Sequence, residues 1–378
     1  PLERRVIRLS RELDRYPRHL SIHAGGIVIA PGPLTDWVAL QRAPNGLTIT
    51  QADAPAVERL GLIKIDLLGI RGLSVVDGAV ELVRRWQDPD FDLEKIPPDD
   101  QVTGDLLAAG ETVGCFQIES AGMRSTLRQL QVRDLPGIIA AISLFRPGPL
   151  RGGLKEAFVR AYLGETPARY LHPALEPILR ETLGVILYQE QVLRIEHEIR
   201  GFTLEQSDVL RRAMTHFRSA GEMSALREDF IRGAREVSGI SLRVAERIWA
   251  LMESFAGYGF PKAHAAGYGV VAYRCAYLKA HYPAEFMAAR LADQGGYYPQ
   301  RFYVSEARRM GLAIRPPHVN HSGRQFTLEY DEDGLPALWM GLDQVRDVTR
   351  RTILATIQER AEGPFRSLED WILRVGPR

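Results

Sequence analysis

The segment Phe255–Phe286, FAGYGFPKAHAAGYGVVAYRCAYLKAHYPAEF, constrains the fold more than any other stretch of this chain. Pro261 suits the first position of a helix, where its missing N–H has no intrahelical partner and its ring pre-sets φ, so a long helix is expected over 261–281. The N–H groups of that first turn lack helical partners and the helix dipole adds partial positive charge. Lys262 therefore joins an anion site, with phosphate the natural guest. His264 and Tyr268, four residues apart, share one face. Ala263, Ala265, Ala266, Gly267 and Gly269 leave the neighbouring surface bare enough for a flat ligand such as a nucleotide. The same small residues also suit a helix that crosses another closely, and spacing alone leaves both readings open.

At 378 residues the chain has room for two or three domains with sizeable cores. A content of 45% hydrophobic and 25% charged residues describes an ordinary soluble globular protein. No run of 18 or more apolar residues occurs, and Pro1–Arg18 is an arginine-rich polar pattern without an apolar signal core. Neither membrane insertion nor secretion is supported, and a cytoplasmic location is the expectation. Cys115 and Cys275 lie far apart in apolar contexts, which suits reduced, buried thiols better than a disulfide or a metal cluster. The net charge of +1 does not by itself mark a nucleic-acid binder. Of 48 basic residues only Lys64, Lys95, Lys155, Lys262 and Lys279 are lysines, a bias that genome composition produces. Because an ammonium is a compact point charge unlike a guanidinium, the lysines in IKID and PKAH still draw notice.

Residues 1–19 read as a helix end carrying Arg4, Arg5, Arg8, Arg11, Arg15 and Arg18, and the chain opens at Pro1 like part of something longer. Strands are expected at Ile22–Ile29 after HAGG and at Gly61–Leu68, joined by turn-rich loops. A helix follows from Gly72 to about Trp86, then a Pro/Asp-rich linker over Gln87–Asp100. Helical periodicity dominates from Thr103 to His281, with helices near 120–131, 136–143, 153–163, 173–181, 187–200, 204–215, 222–237, 242–256 and 261–281. Gly295–Pro299 breaks this domain. A smaller region follows, with short strands at Phe326–Tyr330 and Pro336–Met340 and helices at Val348–Arg360 and Leu368–Val375.

Within GLIKIDLLGI, strand alternation puts Lys64 and Asp66 on one face with Ile63 and Ile65 on the other. That pair is either a strand-end ion pair or a Mg²⁺ ligand beside a phosphate-neutralising lysine, as phosphoryl transfer requires. In VLRRAMTHFR, Arg211 and Arg218 share a helical face with Arg212 and His216 beside it, adjoining Ala213 and Met214 rather than acidic partners. Arg146, Arg151, Lys155 and Arg160 follow one another around the Pro/Gly turn of SLFRPGPLRGGLKEAFVRAY, where a nucleic-acid backbone could lie. Each basic cluster is otherwise a solvated surface.

The ordered motifs HAGGIVIAP, GLIKIDLLGIRGLSVVDGAVELV, CFQIESAGM, SLFRPGPL, GVILYQEQV, LRRAM, FAGYGFPKAHAAGYGVVAY and LKAHYPAEFMAA resemble those of bacterial family C DNA polymerases. That family comprises the alpha subunit of DNA polymerase III and its error-prone relatives, and the resemblance covers essentially residues 1–345. It implies an α+β protein in which a mainly helical fingers domain follows a partial polymerase-beta-like (nucleotidyltransferase) palm. Residues 1–20 would end a thumb helix, 21–85 would be the second half of the palm, 86–295 the fingers, and 296–378 a fingers extension with the start of a helix-hairpin-helix region. Asp66 matches the third catalytic carboxylate, a Mg²⁺ ligand, and Lys64 the lysine beside it. Arg211 and Arg212 match arginines that meet the incoming triphosphate, with Lys262 close by. His264 matches a residue beside the sugar of the incoming nucleotide, where bulk excludes a 2′-hydroxyl, and Tyr268 shares its face.

The family's Asp-x-Asp pair, its Gly-Ser phosphate motif and its N-terminal metal-hydrolase domain are not found in the sequence. Thr215-His216-Phe217-Arg218 stands where replicative members continue with Gly-Lys-Lys, which together with FPKAHAAGY and PPHVNHS leans toward the error-prone branch. Arg346-Asp347-Val348-Thr349 replaces the usual Gly-x-Gly hairpin, putting its contact with DNA phosphates in doubt. The resemblance implies primer-template DNA and dNTPs as partners, a sliding clamp and other replisome or translesion subunits bound through regions outside the chain, and no membrane. With one recognisable carboxylate, the chain alone is expected to be inert. A non-catalytic DNA-binding paralogue is the alternative.

Overall fold

A computed structural model describes residues 2–14, 16, 21–145, 154–203, 205–207, 220–255 and 261–376. The chain is α+β and mainly helical, as expected, and it divides into two compact units, Pro1–Ile70 and Arg71–Arg378.

The first unit contains helix α1 (Leu2–Glu12), strands β1 (Gly26–Ile29), β2 (Leu40–Arg42) and β3 (Thr48–Thr50), helix α2 (Ala54–Arg59) and strand β4 (Ile63–Asp66). Strands β2 and β3 form an antiparallel hairpin where only turn-rich loop was anticipated. β1 pairs antiparallel with β4, setting Gly26 opposite Asp66 and Val28 opposite Lys64. One more bond, from Leu67 N–H to Gly25 O at 2.7 Å, extends the ladder. A Cβ on Gly25 would stand 2.0 Å from Leu67 O, so only glycine allows this approach. Asp53 caps α2 by accepting from Ala56 N–H at 2.9 Å.

The second unit runs through α3 (Arg71–Trp86), α4 (Gln101–Ala108), α5 (Ala121–Leu130), α6 (Leu135–Leu144), α7 (Leu154–Tyr162), α8 (Glu176–Leu179), α9 (Gln189–Arg200), α10 (Ala220–Ser238), α11 (Leu242–Phe255) and α12 (Lys262–His281). It continues through α13 (Pro283–Ala292), α14 (Gln300–Arg309), β5 (Ala313–Arg315), β6 (Thr327–Tyr330), β7 (Pro336–Trp339), α15 (Arg350–Ala361) and α16 (Leu368–Val375). Side chains that carry their own capping oxygen start several helices: Asp100 for α4, Ser120 for α5 and Asp134 for α6. The helix expected over 173–181 is instead broken into α8 and flanking 3₁₀ turns, since Pro173 and Pro177 withhold two backbone donors. The helix expected over 204–215 falls largely outside the described residues.

A main core gathers α3, α5, α6, α12, α13 and the small sheet, and a second gathers Ile195 of α9, Phe230 of α10 and Trp249 of α11. Helix α12 threads the main core with its small side chains. Gly269 is buried against α6, where a Cβ would stand 2.8 Å from Ile139 Cγ1, so the close-crossing reading holds on this face. Around Gly267 there is open space, so that stretch of the helix is bare. Lys279 is buried near its end, its Nζ donating to Glu111 O, Val113 O and Glu306 Oε1 at 2.6–2.8 Å. The two cysteines are buried and free, as expected. In the sheet β7 is central, parallel to β5 and antiparallel to β6.

Candidate active site

In the first unit the site is built on the β1–β4 ladder. Because residues two apart on a strand share a face, Lys64 reaches along β4, and its Nζ donates to Asp66 Oδ1 at 2.5 Å. The Lys64 hydrogen bond foremost, helped by nearby His23, holds the Asp66 carboxyl below the usual aspartate range. Asp66 is therefore ionised at neutral pH, while its side chain stays about half exposed. His23 Nδ1 lies 3.8 Å from Asp66 Oδ1 and accepts the Gly25 N–H at 3.1 Å. That hydrogen bond assigns the proton of a neutral His23 to Nε2. Nothing in the sequence spacing put His23 beside Asp66; the Gly26–Asp66 register did so.

In the second unit the site is the start of α12, which begins at Lys262 with Pro261 as its N-cap rather than its first helical residue. Pro261 offers no capping side chain, and a carboxylate from elsewhere takes the role: Lys262 N–H donates to both oxygens of Glu190, at 3.0 and 3.1 Å. Lys262 Nζ donates to Glu181 Oε2 at 2.5 Å and lies 5.8 Å from the Tyr188 ring centre. At this helix start, where the sequence led one to expect an anion, the donors are met by carboxylates of the chain itself. One turn on, His264 is exposed and its ring packs at a tilt against Tyr268 with ring centres 4.1 Å apart, on the face their spacing implied. Tyr268 in turn packs at 5.2 Å against Phe116. Glu181, Glu190 and Phe116 are distant in sequence from α12, and no spacing in the sequence ties them to it.

Arg146, Arg151, Arg211 and Arg212 lie outside the described residues. Lys155 is placed in the first turn of α7 by its backbone alone. In the loop before α15, Asp347 adopts φ +64, a conformation that favours glycine, and its carboxylate pairs with Arg346 at 3.5 Å. Thr349 Oγ1 accepts from Thr352 N–H at 3.2 Å, filling the donor that a glycine would leave open. Among the described residues no group of three or more His, Cys, Asp or Glu side chains is arranged to hold a metal ion, and no helix is long and apolar enough to cross a membrane. Asp66 offers a hard oxygen donor of the kind Mg²⁺ prefers, but only one of the roughly six ligands that ion takes.

Residues 72–238 match the model of the bacterial DNA polymerase III alpha subunit finger domain, and residues 1–69 that of the bacterial DNA polymerase III alpha NTPase domain. Residues 311–378 match a helix-hairpin-helix motif. The chain belongs to the bacterial DNA polymerase III alpha family. Its relatives include the DNA polymerase III subunit alpha of Thermus aquaticus, 42% identical across 98% of this chain and 30% of that protein. The Escherichia coli subunit alpha is 38% identical across 98% of the chain and 32% of its own length. The error-prone DNA polymerase of Symbiobacterium thermophilum is 37% identical across 98% of the chain and 35% of its length. The chain spans about a third of the length of these relatives.

Proposed function

We propose that the chain is part of the catalytic core of a DNA-directed DNA polymerase that adds dNTPs to a primer 3′ end, in replication or in translesion or repair synthesis. In this reading residues 1–20 end the thumb, 21–85 complete a nucleotidyltransferase palm, 86–295 are fingers and 296–378 extend them toward a helix-hairpin-helix region. The observation that supports it most directly is an ionised Asp66, gripped by Lys64 at a strand end, in a chain whose following residues match a polymerase finger domain.

Asp66 would supply one carboxylate oxygen to Mg²⁺, which when bound stabilises charge on the transferring phosphoryl group. Lys64 keeps that carboxylate deprotonated and adds positive charge beside it. Lys262, Arg211 and Arg212 would hold the triphosphate, Lys262 exchanging its ion pair with Glu181 for a phosphate oxygen. His264 and Tyr268 would face the sugar, and Arg146, Arg151 and Lys155 the DNA backbone.

Asp66→Asn in the full-length polymerase carrying this segment tests the assignment, because the amide keeps the shape and removes the charge. Primer extension should fall by several orders of magnitude while primer-template affinity stays within about twofold, since phosphate-contacting cations and not this carboxylate govern DNA binding. Extension at the parent rate would reject the reading.

A further inference from the structure

Three side chains and one glycine of the second unit form a line of contact from the first turn of α3 to the exposed face of α12. Gly72 lies under the Phe116 ring, where a Cβ would stand 2.8 Å from ring carbons. Phe116 packs on Tyr268 with ring centres 5.2 Å apart, and Tyr268 on His264 at 4.1 Å. The backbone that aims Phe116 at this stack is strained: Ile118 N–H donates to Phe116 O at 2.8 Å across Gln117, whose φ is +63. A three-residue turn with positive central φ is rare, and such strain persists only where the surroundings over-determine it. Those surroundings are on hand, since Gly72 lies directly under the Phe116 ring and the preceding Cys115 is fully buried.

We propose that Phe116 is a positioning residue for sugar discrimination, pressing Tyr268 against His264 so that the imidazole keeps one height above the surface where the nucleotide sugar would lie. The inference rests on the reading of His264 given above. A screen that must reject one hydroxyl works only if it cannot yield, and an exposed histidine on a helix has rotamers to yield into. Close, tilted packing on a ring that is itself backed by Phe116 and Gly72 restricts that freedom.

The test uses the full-length polymerase carrying this segment and measures the ratio of kcat/KM for a dNTP to that for the matching ribonucleotide. Phe116→Leu should lower the ratio by roughly tenfold, the scale of a single lost size contact, chiefly through better use of the ribonucleotide. Phe116→Tyr should restore it, and His264→Ala should lower it at least as far. Combining His264→Ala with Phe116→Leu should add nothing to His264→Ala alone, as expected for residues acting through one contact. Ile195→Val in the second core, chosen to weaken packing elsewhere, should leave the ratio unchanged. If Phe116→Leu discriminates like the parent while His264→Ala does not, the positioning role is overturned and the reading of His264 stands. If His264→Ala also discriminates like the parent, both fall.

Discussion

Glu196 is a carboxyl that the fold has paid dearly to bury. It lies wholly inside the second core on α9; Arg200 Nη1 reaches Oε2 at 3.2 Å, and Oε1 has no hydrogen-bond partner among the described residues. Arg200 is shared with Asp229 of α10, which also pairs with Arg232. Burial pushes the Glu196 carboxyl up to about 7 from 4.5, attraction to Arg200 offsetting only part of the shift and Asp229 adding to it. The folded state therefore keeps a proton that the unfolded chain releases. Its contribution to stability is complete below about pH 4.5 and is lost as pH rises to about 7. At about 1.4 kcal/mol per pH unit the loss is at most about 3.5 kcal/mol. Urea unfolding should show the parent losing more stability than Glu196→Gln between these pH values; parallel pH profiles would show that the carboxyl does not titrate in the fold.

At the scale of the element, α12 serves two purposes on two faces. The glycine at 269 is demanded by Ile139 across the helix crossing, whereas the glycine at 267 faces open space. Gly269→Val should destabilise by about 1–3 kcal/mol through overpacking. Gly267→Ala should stabilise by about 0.5–1 kcal/mol, because an alanine costs less backbone entropy in a helix and meets nothing. Thermal melts of the two variants should move in opposite directions, and a shift of the same sign would contradict the two-faced helix. The start of α12 shows why its partners were illegible in sequence. Pro261 announces a helix with unpaired donors, but the carboxylate that satisfies them, Glu190, is 72 residues away.

For the molecule as a whole, the described residues include no group of three or more His, Cys, Asp or Glu side chains placed to hold a metal ion, at Asp66 or elsewhere, and the chain spans about a third of the length of its relatives. The isolated 378 residues should therefore bind DNA through arginine-rich surfaces, with log affinity falling as salt rises, yet extend no primer. Template-dependent extension by the purified chain, lost in Asp66→Ala, would overturn this. The sequence by itself determined the helical body, the start of α12 to within a residue, the Lys64–Asp66 pair and the face shared by His264 and Tyr268. All of these depend on residues at most four apart, where strand and helix periods fix the geometry. Tertiary structure alone decided that His23 meets Asp66, that Glu190 and Glu181 answer Lys262, that Phe116 backs Tyr268, and that β5 runs parallel to β7. Those contacts join segments that nothing local couples, and they form only when the register of a strand pair or the packing of a core brings distant side chains together.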